Sequence, residues 1–362
     1  MRAALALGRR ALGNAWPNPA VGCVLVGANG AVVGRGWTQA GGRPHAETEA
    51  LRRAGSSAKG ASAYISLEPC DHHGQTPPCT KALIDAGITR AVIAIEDPDK
   101  RVRGKGIAAL RAGGIETIVG VLAEEAEEVN LGFFLKQREH RPLVTLKLAT
   151  SLDARIATAS GDSRWITGET ARAWAHLLRA RHDAVAIGIG TALADDPRLT
   201  CRLPGLPNRP PARIVFDSRL RLPAKGKLAA GAGAGPVLVI TGEGADKERA
   251  GKLQACGVTV IEVERDADGR PDVAASLRAV ADTGITRMLV EGGGILAASM
   301  LRAGLVDRIS WFRAPRAIGG DGLPAIAPFG IDRLASAPAF VRTALDQAGP
   351  DILESYRRRS DI

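Results

Sequence analysis

This chain is poor in aromatic residues, with six Phe, five Trp and two Tyr among 362 positions. A nucleic-acid surface built from basic residues interleaved with stacking rings needs more, and no such tract occurs in the body of the chain. A run of about 18 apolar residues is also missing, so no segment reads as a membrane span. Leu5 and Leu12 fall at helical spacing, but Arg9 and Arg10 interrupt them and no cleavage site follows. Met1–Leu12 is therefore expected to be the first helix of the fold and not a secretory leader. Cysteine is scarce and odd in number: Cys23, Cys70, Cys79, Cys201 and Cys256 make a poor disulfide framework and suit a reducing, cytoplasmic setting. No internal repeat is visible.

What is present is enough chain for two hydrophobic cores and a formal net charge of +10. The arginines behind that charge are scattered. Their one cluster, Arg357-Arg358-Arg359, reads as a solvated tail. Scattered arginine serves phosphorylated small molecules as well as polynucleotides, so charge alone does not decide between them.

Strand-like apolar runs alternate with helix-like periodic ones throughout, which argues for an α/β architecture. Val21–Val26 and Val32–Gly36 read as a hairpin around Asn29-Gly30, a strong turn signal. Helices are expected over His45–Ala54, Cys79–Ala86, Gly106–Ala112 and Glu124–Lys136. Strands are expected over Ala63–Leu67, Arg90–Ile95 and Glu116–Val121. Polar Gln137–Arg141 and then Pro142 mark the best domain boundary. Beyond it, strands are expected at Leu143–Leu148, Ala184–Ile189, Ala212–Phe216, Val237–Thr241 and Arg287–Glu291. Helices are expected at Glu169–Arg179 and Gly294–Ala303, and Lys225–Gly235 reads as a surface loop.

The sharpest signal is His45-Ala46-Glu47, followed downstream by Glu68-Pro69-Cys70 and Cys79. A catalytic zinc takes three protein ligands and keeps one position open for water, and one His with two thiolates is an established set. The metal lowers the pKa of its water towards neutrality, and a carboxylate must then move protons to the leaving ammonia. Glu47, two residues past His45, is placed for that. The order matches the deaminase pattern of H-x-E followed by P-C-x-x-C, except that eight residues separate the cysteines here. That insert, Asp71 to Pro78, is polar and turn-rich and ends in two prolines that can set Cys79 on a helix start, where thiolate is favoured. His72 and His73 are spare imidazoles, for substrate or for structure. Asn18, pinned between two prolines, is suited either to read a ring edge or simply to form a turn.

These segments together resemble the bifunctional riboflavin-biosynthesis deaminase/reductase family of the RibD type. The resemblance runs through Pro17-Asn18-Pro19-Ala20-Val21-Gly22-Cys23-Val24, Pro44-His45-Ala46-Glu47, Leu67-Glu68-Pro69-Cys70, Thr76-Pro77-Pro78-Cys79 and Asp97-Pro98. It continues through Ser151-Leu152-Asp153, Trp165-Ile166-Thr167, Ala194-Asp195-Asp196-Pro197, Asp217-Ser218 and Glu291-Gly292-Gly293. The eight-residue cysteine spacing is the norm in that family. The resemblance implies a cytidine-deaminase-like three-layer α/β/α domain over residues 1–142 and a dihydrofolate-reductase-like α/β domain over residues 143–362. The first would use Zn2+ to remove the ring 2-amino group of 2,5-diamino-6-ribosylamino-pyrimidinone 5′-phosphate. The second would use NADPH to reduce the ribosyl group to ribityl.

Carried over by motif, the residues expected against the cofactor are Thr150, Trp165, Thr191, Asp195, Ser218, Gly293 and Gly294. Those expected against substrate are Asn18 in the first half and Ser163, Arg179, Leu199, Arg202 and Glu291 in the second. On residue chemistry alone, Gly292-Gly293-Gly294 follows a strand and opens a helix, a place where amides cradle a phosphate. It is not the Rossmann G-x-G-x-x-G, so a Rossmann fold is not favoured. Arg179 and Arg202 could hold a sugar phosphate bidentately or be surface residues, and Trp165 could stack on a cofactor ring or belong to the core. Lys147 is a further candidate for the hydride-transfer step.

The chain departs from the family pattern at Asp71, Gln75, Asp99 and Ala154. With Gln75 in place of a basic residue, phosphate binding in the deaminase half is expected from Arg101, Arg103 or Lys105. The expected enzyme is a cytoplasmic homo-oligomer with a phosphorylated pyrimidine as substrate and no nucleic-acid or membrane partner. A tRNA-type deaminase shares the core motif but leaves the second half unexplained. A structural zinc module fills all four metal positions and leaves Glu47 without a purpose.

Overall fold

The computed structural model describes residues 1–74, 76–206 and 210–359. Gln75 lies outside them. The chain divides into two compact units, Met1–Arg141 and Pro142–Ile362.

In the first unit the elements run α1 (Arg2–Arg9), β1 (Gly22–Val26), β2 (Val32–Trp37), α2 (Ala46–Ala54), β3 (Ser62–Ile65), α3 (Cys79–Asp85), β4 (Arg90–Ile93), α4 (Lys105–Ala112), β5 (Glu116–Val119) and α5 (Ala123–Glu139). The strands form one sheet in the order β2-β1-β3-β4-β5. The hairpin β1–β2 is antiparallel, β1 also pairs antiparallel with β3, and β3, β4 and β5 are parallel. Leu25, Ala63, Ile65 and Ile93 pack with Ala46 and Ala50 of α2, Leu83 of α3 and Leu110 of α4 in one buried cluster. Leu5 of α1 packs with Ala94 and with Ala126 and Val129 of α5 in a second. These two clusters give the sheet a helical layer on each face, the expected three-layer plan.

Helix α2 carries the H-x-E motif, and β2 holds it at unusually short range. A Cβ added to Gly36 would lie 2.1 Å from the Ala46 carbonyl oxygen, and one at Gly34 would lie 2.4 Å from that of Ala50. Only glycine admits this approach. Gly36→Ala is therefore expected to lower stability by about 1–3 kcal/mol, as overpacking against rigid backbone does. The shift of the urea denaturation midpoint measures it.

The second unit runs β6 (Leu143–Thr150), β7 (Arg155–Ala157), α6 (Glu169–Ala180), β8 (Ala184–Gly188), α7 (Ile189–Asp195), β9 (Ala212–Phe216), α8 (Lys227–Ala230), β10 (Val237–Gly242), α9 (Lys247–Gln254), β11 (Thr259–Val263), α10 (Val273–Asp282), β12 (Arg287–Glu291), α11 (Gly294–Arg302), β13 (Arg308–Arg313), β14 (Leu323–Pro324), β15 (Phe340–Ala348) and β16 (Asp351–Arg358). Its main sheet has the order β11-β10-β9-β8-β12-β6-β13-β16-β15. From β11 to β13 neighbours are parallel, and β16 and β15 close the edge antiparallel. The strand following β6 in the main sheet is β8, but β12 lies between them, so the connections reverse direction there. Such switch points leave a crevice beyond the carboxyl ends of the strands.

Two expectations need correction. Lys225–Gly235 is not a plain surface loop: it contains α8 and a 3-10 turn at Ala232–Ala234, and Leu228 and Ala229 are buried in the core with Val215 and Val239. Nor is Arg357-Arg358-Arg359 a free tail. Arg357 and Arg358 belong to β16, and the Arg359 amide donates to the Ala339 carbonyl. Pairing across both edges of β16 holds this basic end in the sheet.

Candidate active sites

In the first unit His45 sits immediately before α2, in extended backbone, and Cys79 opens α3 after Pro77-Pro78. His45 Nδ1 lies 3.3 Å from Cys79 Sγ and 3.6 Å from Cys70 Sγ, and the three donor atoms all fall within 4.8 Å of one another. A tetrahedral zinc with these ligands sets N···S at about 3.6 Å and S···S at about 3.8 Å. One imidazole and two sulfurs at this separation fit that ion. The Cys79 thiol, donating to Cys70, pulls Cys70 down to about 4, while Cys79 itself is pushed up.

Glu47, in the first turn of α2, is only 3% exposed. Burial pushes its carboxyl up to about 7, against the pull of His45. It offers no ligand to the three-donor cluster, so its carboxylate remains for proton transfer.

A residue with no assigned role in the sequence reading, Glu68, positions the Cys70 loop. Its buried carboxylate accepts from the backbone amides of Asp97, Gly104 and Ile107 at 3.0–3.2 Å. Its place two residues before Cys70 was the available signal. Asn18 donates to the Gly42 carbonyl at 3.0 Å, three residues before His45, so it ties down the approach to the motif and keeps its carbonyl oxygen unspent. Asp71 accepts from Thr80 at the start of α3. His72 is half-buried with an unsatisfied Nδ1, and His73 is exposed. Arg101 is paired with Asp99, whereas Arg103 and Lys105 are exposed.

The second unit holds a cavity of about 750 Å³ at its switch point, lined from the carboxyl ends of β8, β9 and β12 and from β6. Gly292 and Gly293 have φ of 90° and 88°, which glycine alone adopts freely, and both pack beside the Thr191 hydroxyl. They turn the chain into α11, so amides at that helix start face the crevice. Deeper in, Arg179 donates through Nε and Nη2 to the two carboxylate oxygens of Glu291 at 2.6 and 2.8 Å, and through Nη1 to the Thr200 carbonyl at 3.0 Å. Burial pushes the Glu291 carboxyl up, but Arg179 outweighs it and the net shift is down. Lys147 lines the same end, and burial lowers its ammonium pKa.

Two family models match: the RibD C-terminal domain over residues 142–352, and the cytidine and deoxycytidylate deaminase zinc-binding region over residues 1–95. The riboflavin biosynthesis protein RibD of Bacillus amyloliquefaciens is 41% identical over 353 residues, covering 97% of this chain and 94% of its own. The Escherichia coli protein of that name is 39% identical over 363 residues, with 97% and 96% covered. Among solved structures, RibD of Acinetobacter baumannii superposes with a TM-score of 0.88 at 34% identity, covering 99% of this chain and 97% of that one.

The chain belongs to the RibD family. It is thus a bifunctional riboflavin-biosynthesis enzyme, a zinc deaminase joined to an NADPH reductase, acting on small phosphorylated pyrimidines. The reading as a tRNA deaminase is not favoured. No described helix is long and apolar enough to cross a membrane.

Within this RibD-family chain the cavity gathers most of the reductase residues expected from the motifs: Ser163, Trp165, Arg179, Thr191, Asp195, Leu199, Ser218, Glu291, Gly293 and Gly294 all line it. Trp165 is 63% exposed, with the Arg172 guanidinium 4.8 Å from its ring centre, so it is no core residue. Two expected residues are not in the lining. Thr150 is fully buried and its hydroxyl is engaged by Trp311 Nε1 and the Ser151 carbonyl. Arg202 is exposed and lies 3.5 Å from His176.

Proposed function

We propose that residues 1–142 form the deaminase domain and residues 143–362 the reductase domain, working in that order on 2,5-diamino-6-ribosylamino-4(3H)-pyrimidinone 5′-phosphate. The observation that carries the first step is the convergence of His45, Cys70 and Cys79 beside a buried, non-ligating Glu47. When bound there, zinc supplies a water acidified towards neutral pH. Glu47 takes the proton from the attacking water and hands it to the leaving nitrogen of the 2-amino group. Asn18 presents its carbonyl to the ring edge, and Arg103 and Lys105 are exposed to meet the phosphate.

In the reductase domain the glycine turn at Gly292–Gly294, with Thr191, holds the NADPH pyrophosphate, and Trp165, Asp195 and Ser218 line its path. Three of the five N–H donors of Arg179 are already spent on Glu291 and Thr200, so a substrate phosphate meets only the two remaining Nη hydrogens. Ser163, Leu199 and Glu291 complete that end of the cavity, with Arg202 at the surface. The enzyme works as a homo-oligomer in the cytoplasm, as a chain with few, unpaired thiols suits.

Metal removal tests the order of steps. Chelator-treated protein is expected to stop consuming NADPH with the diaminopyrimidinone phosphate and to continue with the pre-deaminated uracil phosphate. Added zinc restores the first reaction. If the chelated protein oxidises NADPH equally with both substrates, the assignment of the first step to the His45 cluster fails.

A further inference from the structure

The face that α5 buries is apolar except at one position. Asn130 stands there, 2% exposed, among Ala126, Val129, Phe133 and Phe134. A carboxamide buried in such a face costs free energy unless its polar atoms are paired, so its partners matter. Both partners belong to one distant residue. Asn130 Oδ1 accepts from the Ala20 amide at 2.9 Å, and its Nδ2 donates to the Ala20 carbonyl at 3.3 Å, across 110 residues of sequence. The two bonds hold both peptide units that flank Ala20. A carboxamide offers the acceptor and the donor this needs, whereas a carboxylate offers acceptors alone.

Ala20 lies two residues past Asn18. Pro17 and Pro19, on either side of Asn18, have no N–H, so this segment cannot fasten itself by a regular backbone ladder. Side chains fasten it instead. Thr38 Oγ1, just after β2, donates to the Pro19 carbonyl and accepts from the Val21 amide, both at 3.0 Å. Ser66 Oγ, just after β3, accepts from the Gly22 amide at 2.9 Å. Thr38 and Ser66 follow the neighbours of β1 in the sheet, and Asn130 completes the hold from the helical layer. Asn18 is itself confined: its Nδ2 donates to the Gly42 carbonyl, and a side chain at Gly42 would run into that nitrogen. The direction of its carbonyl oxygen therefore follows the backbone that Thr38 and Asn130 fix.

We propose that Asn130 is a positioning residue for deamination, which acts through Ala20 to hold the Asn18 carbonyl oxygen where it meets the substrate ring. The proposal rests on the reading of Asn18 as the group at the ring edge. A hydrogen bond to the ring is made in the ground state as well as in the transition state. Its loss therefore shows in KM more than in kcat.

The test compares full-length wild type with Asn130→Asp, Asn130→Ala, Asn18→Ala and the double variant Asn18→Ala with Asn130→Asp. Steady-state deamination of the diaminopyrimidinone phosphate gives KM and kcat, and zinc content and Tm are measured beside them. Asn130→Asp keeps size and acceptor but sets a carboxylate oxygen against the Ala20 carbonyl. Its KM is expected to rise about 10-fold, the worth of one hydrogen bond, with kcat nearly kept and zinc content unchanged. Asn130→Ala removes both bonds and should raise KM further; if it does not fold, Asn130→Asp decides alone. In the Asn18→Ala background, Asn130→Asp should change KM less than about 2-fold, because the group it positions is gone. A lower Tm with unchanged KM makes Asn130 part of the scaffold only and overturns the proposal. A full, additive rise in the double variant overturns it as well, since Asn130 would then act without Asn18. If Asn18→Ala leaves KM unchanged, the ring-edge reading falls and the proposal with it. If Asn18→Ala raises KM and the Asn130 variants do not, the proposal alone fails.

Discussion

Glu47→Gln is expected to cut the rate of deamination by about 10²–10⁴-fold, the range general acid–base catalysis supplies. The substitution keeps size and hydrogen-bonding reach while removing the group that takes and returns a proton. Because Glu47 is not among the three clustered donors, metal analysis should find the zinc content unchanged. NADPH oxidation with the pre-deaminated substrate should also be unchanged, since the reductase cavity is built from residues of the second unit alone. Loss of zinc would make Glu47 a ligand and the mechanism wrong. Undiminished deamination would leave the proton transfer to some other group.

The deaminase site was legible because its chemistry is local. His45 and Glu47 share one helix start, and Cys70 and Cys79 close one loop, so the order of these residues, together with the family's cysteine spacing, pointed to the donor set. What spacing does not show is the support. Glu68 works through amides more than 28 residues further on, and Gly36 matters because a helix lies against its face of the strand. The reductase site is legible mainly as a set of motifs, since its residues come from β6, from the ends of β8, β9 and β12 and from α6, brought together only by the sheet order.

Burial explains the misread elements too. Residues 225–235 are rich in Gly and Ala, and only Leu228 carries a large apolar side chain, so the short helix beneath the loop has almost no periodic signature. Strand β15 is exposed along nearly all its length and shows no inward face, so nothing in Phe340–Ala348 alternates strongly enough to announce a strand. Thr150 is expected against the cofactor by motif; its hydroxyl is engaged by Trp311, which leaves its backbone for any such contact.

The second large effect concerns the Arg179–Glu291 pair, whose side chains are 16% and 8% exposed. Arg179→Ala leaves a carboxylate buried without its main partner, and is expected to cost about 3–5 kcal/mol of stability as well as most of the reductase activity. Denaturant unfolding of the second unit measures the first, and NADPH oxidation the second. The Glu291 pKa lies below its unfolded value, so the pair's contribution is present above about pH 4.3 and is lost as pH falls through the folded pKa. The wild-type protein should therefore lose more stability on acidification than a double variant, Arg179→Met with Glu291→Leu, in which both charges are gone. That double variant separates scaffold from function. Replacing both partners with apolar groups of similar volume removes the stranded charge and should recover much of the stability. It should recover none of the activity, because Glu291 and Arg179 both line the cavity together with Lys147. If activity returned with stability, the pair would be a strut holding β12 to α6, and substrate binding would have to rest on Lys147 and Ser163.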